Sequence, residues 1–151
     1  MSPPEVAPPN PVKRVRLDWT GRADVYEGSG AGAAIVIDGS GQEGPSPMDA
    51  LLLALSGCMA IDVRMILEKS RVRLDRLHVD AVGTRAEKPP RRFLQIDLTY
   101  RLAGPAAEDR PKVERAVQLS LDTYCSVLHS LAPDTRINTR IDVEESAGEG
   151  S

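Results

Sequence analysis

Ser46-Pro47-Met48-Asp49-Ala50-Leu51-Leu52-Leu53-Ala54-Leu55-Ser56-Gly57-Cys58-Met59-Ala60-Ile61-Asp62-Val63 is the stretch from which the fold can be read. It begins as a helix begins. Ser46 is placed to accept a backbone N–H as N-cap, Pro47 suits the first helical position, and Asp49 completes an Asp version of the capping box at the positive end of the helix dipole. From Ala50 to Ile61 no residue is charged and apolar side chains point in every direction, which assigns the segment to a buried core. That uncharged run covers roughly 12 residues, short of the about 20 that a bilayer crossing needs, so no membrane partner is expected. In its middle lies Cys58.

The remaining chain has to cover this helix. At 151 residues it is long enough to bury a substantial core in one domain. Aromatic content of only 3% leaves the packing to Leu, Ile, Val and Ala, and with a net charge of −3 it also argues against a nucleic-acid partner. The first residues, Met1 to Pro11, have neither the basic nor the apolar region of a signal peptide and are expected to form a disordered Pro-rich lead. A cytoplasmic, reducing location follows, in which a cysteine pair is more often redox-active than structural. The expected organisation is a lead over residues 1–11, a single domain over 12–145 and a polar tail over 146–151.

Taken in order, Lys13–Trp19, Arg22–Glu27 and Ala33–Asp38 read as three strands, the second and third separated by Gly28-Ser29-Gly30-Ala31-Gly32. That glycine cluster leads into a strand, whereas a dinucleotide fingerprint opens a helix, so it is read as a hairpin turn. The central helix is expected from Pro47 to about Ser70. Leu74–Ala86 and Arg92–Leu102 follow as an antiparallel pair around Pro89-Pro90, with Arg91-Arg92 as a solvated turn. Pro111–Tyr124 repeats at helical spacing through Val113, Ala116, Val117, Ser120, Leu121 and Tyr124, and Cys125–Leu131 either continues it or starts a short new helix. Asp134–Glu145 alternates as a last strand. The order βββ-α-ββ-α-β predicts an α+β fold with antiparallel sheets and a long central buried helix.

No metal motif, Walker loop or nucleophile elbow is present, which leaves Cys58 and Cys125 as the plausible reactive groups, against the alternative that both are inert core residues. Asp62 is i+4 from Cys58 and shares its face. A bare carboxylate there would raise the thiol pKa, so Asp62 is expected to need an arginine partner. His129 is i+4 from Cys125 if one helix carries both, although a surface or packed role is simpler; His78 is assigned no role.

The segment from Ser46 to Cys58 resembles the helix of the OsmC/Ohr family, and Tyr124-Cys125-Ser126-Val127 is similar to that family's second-cysteine segment. The S-P-M-D form looks like the OsmC-like branch. The resemblance implies a thiol-dependent peroxidase acting on organic hydroperoxides, built as an intertwined homodimer, without a cofactor and regenerated by an external thiol or dithiol. It implies Cys58 as the peroxidatic thiol and Cys125 as the resolving thiol, with Arg22 as the closest match to an activating arginine. Supporting positions around the pocket fall on Asp62, Met48, Asp49 and Leu55. Met48 stands where the best-studied branch has a glutamate, and Asp49, nine residues from Cys58 at about 100° per residue, points to the far side of the helix, where capping is its simpler role. The rival reading is the same scaffold used as a small-molecule binding or structural module.

Overall fold

The computed structural model describes residues 11–144; the expected lead up to Asn10 and the tail from residue 145 lie outside them. The chain divides into two compact units, one up to Ala50 and one from Leu51 onward.

The first unit is an antiparallel meander of β1 (Arg16–Trp19), β2 (Val25–Ser29) and β3 (Ile35–Asp38), in that spatial order. β2 starts later than its sequence pattern predicts because Thr20 to Asp24 form the turn: the Thr20 N–H reaches Val25 O at 3.1 Å and the Trp19 indole N–H reaches Ala23 O at 2.9 Å. The glycine cluster is a hairpin connection, with Gly28 itself paired to both Leu17 and Ile35. At the end of β3, buried Asp38 organises the following loop. Its carboxylate accepts the backbone N–H groups of Glu43 and Ser40, each at 2.9 Å, and the Ser40 hydroxyl at 2.8 Å. These donors, the Glu43 N–H first, hold its pKa down at about 2.

The long helix α1 spans Pro47–Lys69. Its start is the expected reciprocal cap: the Asp49 N–H donates to Ser46 Oγ at 3.2 Å, and the Ser46 hydroxyl donates back to Asp49 Oδ2 at 2.8 Å. One expectation needs correction. The helix is not buried all round: Leu55, Met59, Val63 and Leu67 are sealed in the core, whereas Leu53 (62%), Ile61 (59%) and Met65 (44%) are exposed. α1 has 23 residues and contains an 18-residue window of mean hydropathy 1.9, so it is long and apolar enough to cross a membrane by length and composition. Its sealed stripe packs into this chain's own core.

The second unit's sheet has the order β4 (Arg76–Arg85), β5 (Phe93–Ala103), β6 (Arg136–Val143). β4 and β5 pair antiparallel as expected, but β6 runs parallel to β5, which corrects the all-antiparallel expectation. The reason lies in the connection. Between Ala103 and Arg136 the chain passes through a 3₁₀ turn (Ala107–Asp109), α2 (Arg110–Leu119), a π turn (Ser120–Tyr124) and α3 (Ser126–His129), a helical crossover of the kind that returns a strand in the same direction. In β5, Ile96, Leu98, Tyr100 and Leu102 face the core as the alternation predicts. Phe93 is buried and Leu94 exposed, the reverse of that pattern, because the register slips between Thr84 and Arg85 and places Leu94 in a bulge. Arg92 is not merely solvated, since it reaches Asp134 at 2.8 Å.

Gly104 ends β5 at φ +117°, and a Cβ there would approach Asp75 N at 2.7 Å and Arg73 O at 3.0 Å, both immobile backbone atoms. Gly104→Ala is therefore expected to lower the unfolding free energy by about 1–3 kcal/mol. Gly57→Ala, where a Cβ would meet no atom of its own chain within 4 Å, is expected to leave the stability of the single subunit unchanged or raise it by about 0.5–1 kcal/mol. Urea denaturation of both variants checks the pair, and equal stability of Gly104→Ala and wild type would contradict the strain.

Candidate functional site

The site is assembled by two local structures. On α1, helical spacing stacks Cys58 and Asp62 one turn apart. After α2, the chain widens into the π turn, closed by a bond from the Cys125 N–H to Ser120 O at 2.9 Å, i→i+5 rather than i→i+4. The extra residue per turn moves Tyr124 out to 56% exposure and leaves Cys125 completely buried, in extended conformation at the N-cap of α3. A continuous α-helix through Tyr124 would not have done so. Cys125 Sγ caps α3 by accepting the Leu128 N–H at 3.4 Å.

The result is a cluster in which Cys58 Sγ, a carboxylate oxygen of Asp62 and Cys125 Sγ all lie within 4.8 Å of one another. Cys58 is half-buried and Cys125 has no exposure; both are free thiols. Asp62 receives the hydroxyl of Ser120 at 2.8 Å, so the residue that opens the π turn also satisfies the carboxylate, in the place where an arginine was expected. Burial is the main reason that the Cys125 thiol is pushed up to about 11; the Leu128 N–H opposes the shift, and Cys58 and Asp62 add to it. Tyr100 feels the charge of this cluster. It is wholly buried, donates to Met59 Sδ at 3.4 Å, and has its phenol raised well above the usual value, first by burial and then by Cys125 and Asp62. Asp62 also lines a cavity of about 650 Å³ whose walls combine Met65, Ile66 and Leu119 with Lys69, Lys112 and Arg115.

Of the residues singled out in the sequence, the second unit brings together Cys58, Asp62 and Cys125, with Leu55 in the core one turn before Cys58. Met48, Asp49 and Arg22 belong to the first unit. There Met48 is half-buried, Asp49 caps α1, and Arg22 pairs with Glu43, an acid that no sequence signal marked. The Glu43 hydrogen bond and charge raise the pKa of Arg22 further. His129 is exposed on α3, and His78 is exposed with its Nε2 3.8 Å from Asp80. Ser120 and Tyr100 escaped notice as site residues. For Ser120 the available signal was a small hydroxyl in the otherwise apolar repeat from Val113 to Leu121.

A family model described as OsmC-like protein matches residues 39–140. The Escherichia coli K12 protein YhfA is 39% identical over 115 residues, which cover 76% of this chain and 85% of its own. A hypothetical protein from Aquifex aeolicus VF5 superposes with a TM-score of 0.78 at 28% identity, over 88% of this chain and 96% of its own. An organic hydroperoxide resistance protein from Elizabethkingia anophelis superposes with a TM-score of 0.59 at 12% identity, over 89% and 96%, a likeness of fold alone. The two three-stranded sheets and the long helix make an α+β fold that matches OsmC-like structures. The chain belongs to the OsmC-like protein family, whose members are typically soluble, and its paired cysteines support a redox role.

The raised thiol gives a pH test. Above about pH 9, the ordinary cysteine value, the unfolded chain releases the Cys125 proton while the folded protein keeps it until about 11. Stability is thus fully present below 9 and declines as pH rises through that window. Urea midpoints measured from pH 8 to 10.5 are expected to fall less steeply in Cys125→Ala; an unchanged slope would refute the assignment.

Proposed function

We propose that the protein is a cytoplasmic, homodimeric, cofactor-free thiol peroxidase that reduces organic hydroperoxides. The observation that carries this reading is the meeting of two free thiols from distant parts of the chain, one half-buried and one sealed. Cys58, the reachable sulfur, attacks the O–O bond as thiolate: an S–O bond forms, the O–O bond breaks, and the leaving alkoxide takes up a proton to become the alcohol. The Cys58 sulfenic acid is then attacked by Cys125, forming the disulfide and releasing water. An Asp62 carboxylate oxygen lies within 4.8 Å of both sulfurs, and on closer approach it serves as the base that takes the Cys125 proton, which burial makes hard to remove. An external thiol or dithiol reduces the disulfide by exchange. The apolar part of the cavity beside Asp62 favours a carbon-bearing peroxide over a small hydrophilic one.

The dimer rests on a second observation. α1 exposes Leu53, Ala54, Gly57, Ile61 and Met65 along one stripe, and a Cβ at Gly57 would meet nothing within 4 Å. A stripe of this kind is suited to close packing against a second copy of the helix.

Mass spectrometry of reduced protein after one equivalent of cumene hydroperoxide is expected to show rapid loss of two protons as a Cys58–Cys125 disulfide. In Cys125→Ser the same treatment is expected to leave sulfenic acid on Cys58. Thiols that stay reduced for minutes would leave the scaffold as a binding module. Sedimentation at micromolar concentration is expected to give a dimer, with Ile61→Glu a monomer; a monomeric wild type would end the dimer reading.

A further inference from the structure

The cluster that serves the redox reading also meets the requirements of a metal centre. Cys58 and Asp62 stand one turn apart on α1, and the π turn sets Cys125 against them, with all three donor atoms within 4.8 Å of one another. A tetrahedral zinc ion bonds sulfur at about 2.3 Å and a carboxylate oxygen at about 2.0–2.2 Å, which spaces adjacent donors about 3.5–3.8 Å apart. The 4.8 Å limit exceeds that spacing by about 1.0–1.3 Å, a gap that closure of the side chains on an ion has to take up.

We propose that the reduced protein binds one thiophilic divalent cation, zinc in the first instance, through Cys58 Sγ, Cys125 Sγ and a carboxylate oxygen of Asp62, with the fourth position open. The surroundings fit such a centre. Ser120 donates to Asp62 Oδ2 at 2.8 Å and so fixes the orientation of the carboxylate, the role that outer hydrogen bonds have at metal sites. Two thiolates favour zinc over magnesium or calcium, which require oxygen donors. On binding, the thiols release their protons to solvent and two S–Zn bonds form; no electrons move. A disulfide needs the same two sulfurs, so zinc binding and oxidation exclude each other. Local spacing of cysteines in the sequence does not reveal the site because its two sulfurs come from different elements. The proposal does not depend on peroxidase turnover.

The test is titration of the reduced, chelator-stripped full chain under argon, with Zn²⁺ by calorimetry and with Co²⁺ by absorption spectroscopy. One ion per chain is expected, with a thiolate-to-cobalt charge-transfer band and no response to Mg²⁺. Cys58→Ser is expected to weaken zinc binding at least about 100-fold and remove most of the band, and Asp62→Asn to weaken it about 10-fold or more. Both positions are only half-buried, so these variants are expected to keep the fold, with circular dichroism as the check. His78→Ala, at an exposed histidine, is expected to change nothing. Absence of the charge-transfer band, or zinc affinity unchanged in both Cys58→Ser and Asp62→Asn, would overturn the proposal whatever the peroxide assay gives.

Discussion

The hydrogen bond from Ser120 to Asp62 holds the site together, because a carboxylate beside two sulfurs on a partly buried helix face needs a donor. Hydrogen bonds to charged groups contribute about 1.5–3 kcal/mol, and an unsatisfied buried partner costs about as much. The donor here is the first residue of the π turn. That one bond therefore couples α1 to the segment that presents Cys125. The position of the buried sulfur follows from the same turn, since its i→i+5 closure ends on the Cys125 N–H. Sulfur placement, carboxylate satisfaction and helix docking are one constraint.

α1 meets a second constraint by dividing its circumference. Leu55, Met59, Val63 and Leu67 form the sealed column, and Leu53, Gly57, Ile61 and Met65 form a parallel column displaced by two residues, about 200° around the axis. Cys58 and Asp62 occupy the border between them. Their position explains why Cys58 is neither sealed nor fully open, and why an acid is tolerated on so apolar a helix. A thiol on the inner column would be unreachable, and one on the outer column would have no second cysteine beside it.

Much of this was legible in the sequence, where it depended on local rules. The capping box, the length of α1, the β4–β5 hairpin and the face alternation of β5 all follow from short-range periodicity and turn chemistry. What escaped depended on partners distant in sequence. The parallel pairing of β6 was hidden because its crossover looks like any strand-helix-strand run until its pairing partner is known. The bulge at Leu94 inverts two residues without leaving a mark in composition. In the site, the shared face of Cys58 and Asp62 was readable from i+4 spacing, but Ser120 as the partner of Asp62 was not. The helical repeat assumed to run through Tyr124 breaks at the π turn, and nothing in Ser120-Leu121-Asp122-Thr123-Tyr124 announces an i→i+5 closure.

The π turn has a consequence for how such chains diverge. A wide turn holds one residue more than the α-helical turn that would replace it. Substitutions within Leu121–Tyr124 that let the segment close i→i+4 at unchanged length would turn the following residues by about 100°. Both cysteines would remain in the sequence, and a count of motifs would find the protein intact. The sulfur would nevertheless lie on another side of the helix from Cys58. In this scaffold, gain or loss of the two-thiol centre is a matter of how one turn closes as much as of cysteine count.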